Sequence, residues 1–296
     1  MFIIYINDLP LQINQSHVDL YADDSTLHCH DTSIENINLK LQNDVIAIES
    51  WCKNNSMKIN AQKTKCMTLC SKQKMANLSD LEIQINGDSI ENVHSYKLLG
   101  VHIDENLNWD EQVNKICKTI SSKISLLNRL KRFLPIHIRQ LFYNAYILPY
   151  MDYCSSVWGN LSNNDSDRIL KLQKRAARTI LDCDMSVPSD FMFSSLKWMP
   201  FSNRVKYQKC ILMFKIINNQ TPDYLKLPNE VTGHYNLRSQ SNQNLFVPRP
   251  KTNFYKNSFH FSAVIAWNEL PSQVKMSKNI DLFKSKYYEH LLSTAI

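Results

Sequence analysis

At Trp109 the spacing of apolar residues changes, and that change limits the folds open to the chain. Trp109, Val113, Ile116, Ile120, Ile124, Leu127 and Leu130 recur every three or four residues. This predicts one long amphipathic helix that Pro135 ends. The same spacing predicts further helices over 136–158 (broken near Pro149), 165–181, 190–198, 203–218, 258–270 and 279–292. Before Trp109 the pattern is mixed. Runs at 17–20 and 25–30 read as short strands around Tyr21-Ala22-Asp23-Asp24, and Ser33 opens a helix carrying Ile34, Ile37, Leu41, Val45, Ile48 and Trp51. Strands are expected at 65–70 and 96–103, and a hairpin joins 81–85 to 89–93 through Asn86-Gly87. Strands followed by a run of helices predict an α+β protein.

Charge divides at the same place. Residues 1–110 hold 8 Lys+Arg against 15 Asp+Glu, a balance of −7, and residues 111–296 hold 26 against 12, a balance of +14. Residues 221–256 are polar and aperiodic, which predicts a long loop. The expected organisation is therefore 1–110, 111–220 and 221–296. Only four glycines occur, and no two stand close enough to form a phosphate-cradling loop. The apolar run near the N-terminus, Phe2 to Ile6, is too short for a membrane span and lacks the flanks of a signal peptide. Eight cysteines without any Cys-x-x-Cys read as reduced thiols of an intracellular protein; Cys66 and Cys70 have no evident partners for a metal.

Asp23 and Asp24 carry the sharpest chemistry. A turn needs one aspartate, and two adjacent carboxylates repel each other. A Mg²⁺ ion relieves that repulsion, because it takes one or two carboxylates together with substrate phosphates. Two such ions about 4 Å apart support phosphoryl transfer. A solvated acidic turn is the other reading of the tetrapeptide.

The surrounding residues resemble the palm of reverse transcriptases from non-LTR (LINE-like) retrotransposons. Phe2-Ile3-Ile4-Tyr5-Ile6-Asn7-Asp8-Leu9-Pro10 resembles the segment before the catalytic hairpin, and Tyr21-Ala22-Asp23-Asp24 the metal-binding signature. Trp51, Ile59-Asn60 and Lys63-Thr64 resemble the next palm motif, and Tyr96-Lys97-Leu98-Leu99-Gly100-Val101 the primer-grip hairpin. Tyr150–Cys154 and Ala266–Pro271 more loosely resemble the C-terminal region of such elements. The resemblance implies an incomplete antiparallel palm sheet, a helical thumb and a C-terminal extension. It implies Asp23 as a metal ligand, Asp24 as a second ligand or its support, and Lys63 as general acid toward pyrophosphate. Lys63 also reads as a plain surface lysine. Tyr96, Leu98, Leu99 and Gly100 would position the primer end, in a segment that also reads as an ordinary sheet strand. The implied cofactor is Mg²⁺, and the implied partners are an RNA template, a DNA primer and deoxynucleoside triphosphates.

The same resemblance calls for a further catalytic aspartate upstream of the hairpin, and Asp8 and Asp19 both fall in pieces already assigned. The expectation is a polymerase fragment inactive by itself. Arg168, Lys171, Lys174, Arg175 and Arg178 recur along one helix, and Lys115, Lys118, Lys123, Arg129, Lys131 and Arg132 along another. These can grip nucleic-acid phosphates or form a solvated face. Phe142, Tyr143, Tyr146, Tyr150 and Tyr153 can stack on bases, but their spacing makes core packing the expectation. Other readings are a non-catalytic nucleic-acid-binding remnant and a decayed reading frame.

Overall fold

The computed structural model describes residues 2–227 and 243–294, in two compact units, Met1–Asn108 and Trp109–Ile296. It is mixed α+β.

In the first unit a turn α1 (Phe2–Tyr5) leads through a 3₁₀ turn (Leu9–Gln12) into β1 (His17–Tyr21) and β2 (Asp24–His28). The helix α2 (Ile34–Asn54) follows, then β3 (Lys65–Cys66), a turn α3 (Lys72–Met75), β4 (Gln84–Ile85), β5 (Asp88–Ser89), β6 (Glu91–Asn92), β7 (Ser95–Leu98) and β8 (Val101–Asp104). The strands do not join into one sheet. Among the described residues they form four separate pairs: β1–β2, β4–β5 and β7–β8 antiparallel, and β3–β6 parallel. The strand expected over 96–103 is a hairpin, because Leu99 and Gly100 both take positive φ (45° and 89°). The expected hairpin at Asn86-Gly87 forms, with φ of 52° and 84°.

Two-stranded pairs leave many backbone groups unpaired, and α2 supplies partners for them. Ser33 caps its N-terminus by accepting from the Asn36 amide. Its apolar side builds two clusters. One holds Ile34, Val45, Leu81, Ile83, Ile85 and Ile90, the other Ile6, Leu9, Ile48, Trp51 and Cys52; Leu27 and Ile59 pack against both. Its polar side binds backbone. Asn38 Oδ1 accepts from the Glu82 amide at 3.0 Å, Gln42 Oε1 from the Gln84 amide at 2.8 Å, and the Glu49 carboxylate from the Asn86 amide. Gln42 also donates to the Gln84 carbonyl at 3.1 Å.

The Asp44 side chain binds the chain entering β1. Its carboxylate accepts from the amides of Asn14 (3.1 Å), Gln15 (3.1 Å) and Ser16 (2.7 Å) and from Ser16 Oγ (2.6 Å). Burial pushes the Asp44 carboxyl up, but these bonds outweigh it and leave the group below the ordinary aspartate range.

The second unit contains α4 (Asp110–Leu130), α5 (Ile136–Tyr146), α6 (Leu148–Asp152), α7 (Ser155–Trp158), α8 (Asn163–Leu181), α9 (Ser189–Leu196) and α10 (Phe201–Ile217). After a 3₁₀ turn (Asp223–Leu225) come α11 (Asn253–Asn257), α12 (Phe259–Asn268), α13 (Ser272–Lys275) and α14 (Ile280–Thr294). The middle of the expected loop, 228–242, lies outside the described residues; 243–252 form no helix or strand. Val113, Ile120, Ile124 and Leu127 of α4 are fully buried, as are Ile169, Ala176, Ala177 and Ile180 of α8. The two helices run parallel, since Asn114 meets Arg168, Ser121 and Ser125 meet Arg175, and Lys131 meets Asp182. Helix α10 packs with α12 and α14 in one core that includes Met213, Phe214, Trp267, Phe283 and Tyr287, so residues on both sides of 220 share it.

Gly159 follows α7 where α10 passes closely. A Cβ there would lie 2.6 Å from Val205 Cγ1 and against the Ser155 carbonyl. Of the five aromatics expected in the core, only Tyr143 is buried, stacked on Trp198 with ring centroids 3.7 Å apart. Phe142 is half-buried, and Tyr146, Tyr150 and Tyr153 are exposed. Helical spacing shows which residues share a face, not whether anything covers it.

Asp44→Asn should destabilise the first unit by about 1–3 kcal/mol, read by urea unfolding. The native group titrates lower than the unfolded one. Its stabilisation is therefore complete above about pH 4 and fades as pH falls through the native value. Over that range the stability difference between parent and Asp44→Asn should shrink. Gly159→Ala should cost about 1–3 kcal/mol in the second unit, and Val205→Ala in the same chain should recover part of it.

Candidate metal and nucleic-acid site

The acidic tetrapeptide forms a two-residue hairpin. Tyr21 pairs with Asp24, Asp19 with Thr26 and His17 with His28, leaving Ala22 and Asp23 as the loop. Ala22 has φ 54° and is the only one of the two with positive φ, a conformation that costs a residue with a Cβ roughly 1–2 kcal/mol. The hairpin is held from behind. Leu20 and Leu27 face the clusters on α2, and the strand before the turn begins at the segment Asp44 binds.

Strand alternation puts His17, Asp19, Tyr21, Asp24, Thr26 and His28 on the opposite face. There Asp19 pairs with His28 at 3.5 Å, and the His17 and His28 rings lie 5.3 Å apart. Asp23 and Asp24 are both exposed. Among the described residues neither carboxylate has a hydrogen-bond or ion-pair partner, so two adjacent charges stand unneutralised. No three Asp, Glu, His or Cys side chains converge as a metal cage among the described residues. The donor set fits an ion that keeps water and takes phosphate oxygens beside one or two carboxylates.

Lys63 lies outside the hairpin. Asn60 makes a side-chain-capped turn in which Oδ1 and the carbonyl both accept from the Lys63 amide at 3.1 Å, and Thr64 Oγ1 donates to the Asn60 carbonyl at 2.9 Å. This turn feeds β3 and leaves the Lys63 side chain exposed. Ile59, just before it, packs in the same two clusters as Leu27, three residues after Asp24.

The β7–β8 hairpin presents Tyr96 and Leu99, 41% and 42% exposed, with Leu98 half-buried and Gly100 at the turn. Its base is closed by His94 and Glu105, whose side chains meet at 2.6 Å. Glu105 holds the His94 imidazole above its ordinary pKa.

The five basic residues of α8 divide. Arg168 bonds Asn114 (2.6 Å) and Asp165 (2.9 Å), and Arg175 bonds Ser121 and Ser125 (3.3 Å each). Arg178 is half-buried, with Nε lacking an acceptor. Among the described residues Lys171 and Lys174 make no hydrogen bond or ion pair, which leaves their ammonium groups available. Sequence spacing does not show the contacts to Asn114, Ser121 and Ser125, because these partners lie on another helix and carry no charge. Asp44, Asn38 and Gln42, which fix the hairpin and strand backbone, were also missed; a polar residue on a helix looks solvated until its partner is known.

Residues 1–103 match the family of reverse transcriptases (RNA-dependent DNA polymerases). The chain is 27% identical over 169 residues to a probable RNA-directed DNA polymerase from transposon BS of Drosophila melanogaster, covering 55% of this chain and 18% of that protein. It is 23% identical over 190 residues to the RNA-directed DNA polymerase from the mobile element jockey of Drosophila melanogaster, covering 61% of this chain and 20% of that protein. The corresponding protein of Drosophila funebris is 25% identical over 182 residues, 57% of this chain and 19% of that protein. The chain thus spans about a fifth of these relatives' length, and each likeness is too long to end at residue 103. No solved structure matches.

Ala22→Gly should leave thermal stability unchanged or raise it, whereas Ala22→Val should lower it by about 1–2 kcal/mol, measured by calorimetry. Residues 1–103 are thus similar to reverse transcriptases, and the relatives named here are RNA-directed DNA polymerases of Drosophila transposable elements.

Proposed function

We propose that the chain supplies the metal-binding hairpin, primer-contacting hairpin and duplex-gripping helices of an RNA-directed DNA polymerase. The observation that carries this is the pair of unneutralised carboxylates, Asp23 and Asp24, on a strained turn within a segment that matches the reverse transcriptase family. In this reading residues 1–110 are part of a palm, 111–220 a thumb, and 221–296 a C-terminal extension, in an intracellular protein.

The reaction is attack of a DNA 3′ hydroxyl on the α-phosphate of a deoxynucleoside triphosphate, releasing pyrophosphate, with an RNA strand as template. Asp23 and Asp24 would hold Mg²⁺, which when bound offsets charge on the phosphates. Lys63 would give its proton to the leaving pyrophosphate. Tyr96, Leu98, Leu99 and Gly100 would set the primer end, and Lys171 and Lys174 would meet duplex phosphates.

Two carboxylates without a third leave the divalent site short of a ligand, and loss of one member of such a set costs orders of magnitude in rate. The 296 residues by themselves should therefore give no primer extension with Mg²⁺ or Mn²⁺; extension abolished by Asp23→Ala would contradict this. Asp23→Asn should weaken Mn²⁺ binding, followed by paramagnetic resonance, by about tenfold or more. A second reading, nucleic-acid binding without catalysis, is favoured by Lys171 and Lys174, and predicts duplex binding with Mn²⁺ affinity untouched by Asp23→Asn. Under both, duplex affinity falls steeply with salt, and Lys171→Ala and Lys174→Ala each reduce the salt slope by about 1.

A further inference from the structure

The surface that runs from the end of α5 to α7 is aromatic and exposed. Tyr146, Tyr150, Tyr153 and Val157 are 54%, 42%, 53% and 51% exposed. Tyr146 and Tyr150 stand four residues apart across Ile147, which keeps α-region dihedrals, so they share one side of the α5–α6 path; the chain leaves helical geometry at Tyr153 and Cys154. A solvent-facing stripe normally carries charged side chains, and three half-exposed tyrosines are a large apolar area to leave in water.

The electrostatics say what covers it. Between Glu111 and Asp152 the sequence has no acidic residue, while Lys115, Lys118, Lys123, Arg129 and Arg132 fall there beside Lys131, which pairs with Asp182, and Arg139, which bonds the Leu134 and Ile180 carbonyls. Asp152, next to the stripe, is bound by both Nε and Nη2 of Arg204 and is neutralised. Lys123 Nζ stands 5.8 Å from the centroid of the Tyr146 ring, so a cation already sits against the aromatic surface. A partner fitting this combination is planar and stackable on one side and anionic on the other. A base-paired duplex hides its bases, whereas a single strand offers both.

We propose that Tyr146 and Tyr150, with Lys123 beside them, form a stacking platform for single-stranded nucleic acid, one base to a ring. This is distinct from the duplex contact assigned to Lys171 and Lys174, and it rests on the reading of the chain as part of a nucleic-acid polymerase. Stacking needs only a ring face, so the platform accepts any base and Phe replaces Tyr without loss.

The test is fluorescence anisotropy of the full 296-residue chain with a labelled 15-nucleotide oligouridylate and, separately, a labelled RNA–DNA duplex. Tyr150→Ala and Tyr146→Ala should each weaken oligouridylate binding about 5- to 150-fold. Tyr150→Phe and Tyr146→Phe should stay within about twofold of the parent, and duplex affinity should not change in any of the four. Unaltered melting temperatures would show that the Ala variants fold. Equal losses in Phe and Ala variants, or no loss in either, would overturn the platform while leaving salt-sensitive duplex binding, and the function proposed above, intact. A change of oligomeric state in the Ala variants with oligouridylate affinity unmoved would make the stripe a protein interface and equally overturn it. Binding of neither probe would remove both readings together.

Discussion

Three consecutive backbone amides, those of Asn14, Gln15 and Ser16, point at one buried carboxylate on α2, and the placement of the acidic hairpin depends on that contact. A hairpin of two five-residue strands is marginal by itself. This one gains its position from Leu20 and Leu27 against the α2 clusters and from Asp44 at the entrance to β1. Asp44 gives a fixed direction to a segment with no other regular partner. The strain at Ala22 persists because the strands on both sides of the turn are held.

The same helix solves a second problem. The β4 segment has an antiparallel neighbour over only two residues, and the amides of Glu82, Gln84 and Asn86 face α2. Asn38, Gln42 and Glu49 satisfy them, so α2 substitutes for a strand. The first unit is thus a helix with four small β pairs arranged around or along its sequence neighbours rather than a single sheet. The second unit is held differently, by apolar packing along parallel α4 and α8 and by aromatic stacking. Its polar contacts between α4 and α8 consume two of the five basic residues that sequence spacing marks as a nucleic-acid face.

What the sequence made legible follows from periodicity and turn chemistry. The amphipathic helices after Trp109 appear because burial repeats every three or four residues, and the turn at Asn86-Gly87 appears because those residues suit positive φ. The turn at Leu99-Gly100 was hidden, since leucine in a left-handed conformation has no sequence signature. Asp23 and Asp24 stood out as an adjacent pair whose charges need an explanation. Asp44 did not, because a carboxylate bound to backbone amides is indistinguishable in sequence from a solvated one. Sequence cannot tell the exposed tyrosines from core ones for the same kind of reason: periodicity fixes a face, and only the packed structure shows whether the face is covered.

The claim that Asp44 positions the acidic hairpin is tested most directly by amide hydrogen exchange on Asp44→Asn at pH 7. Protection of the Ser16 amide and of β1 and β2 should fall, while β7 and β8 keep the protection they have in the parent chain. Unchanged protection across His17–Tyr21 and Asp24–His28 would show that the hairpin is placed by its apolar face alone and would contradict the account.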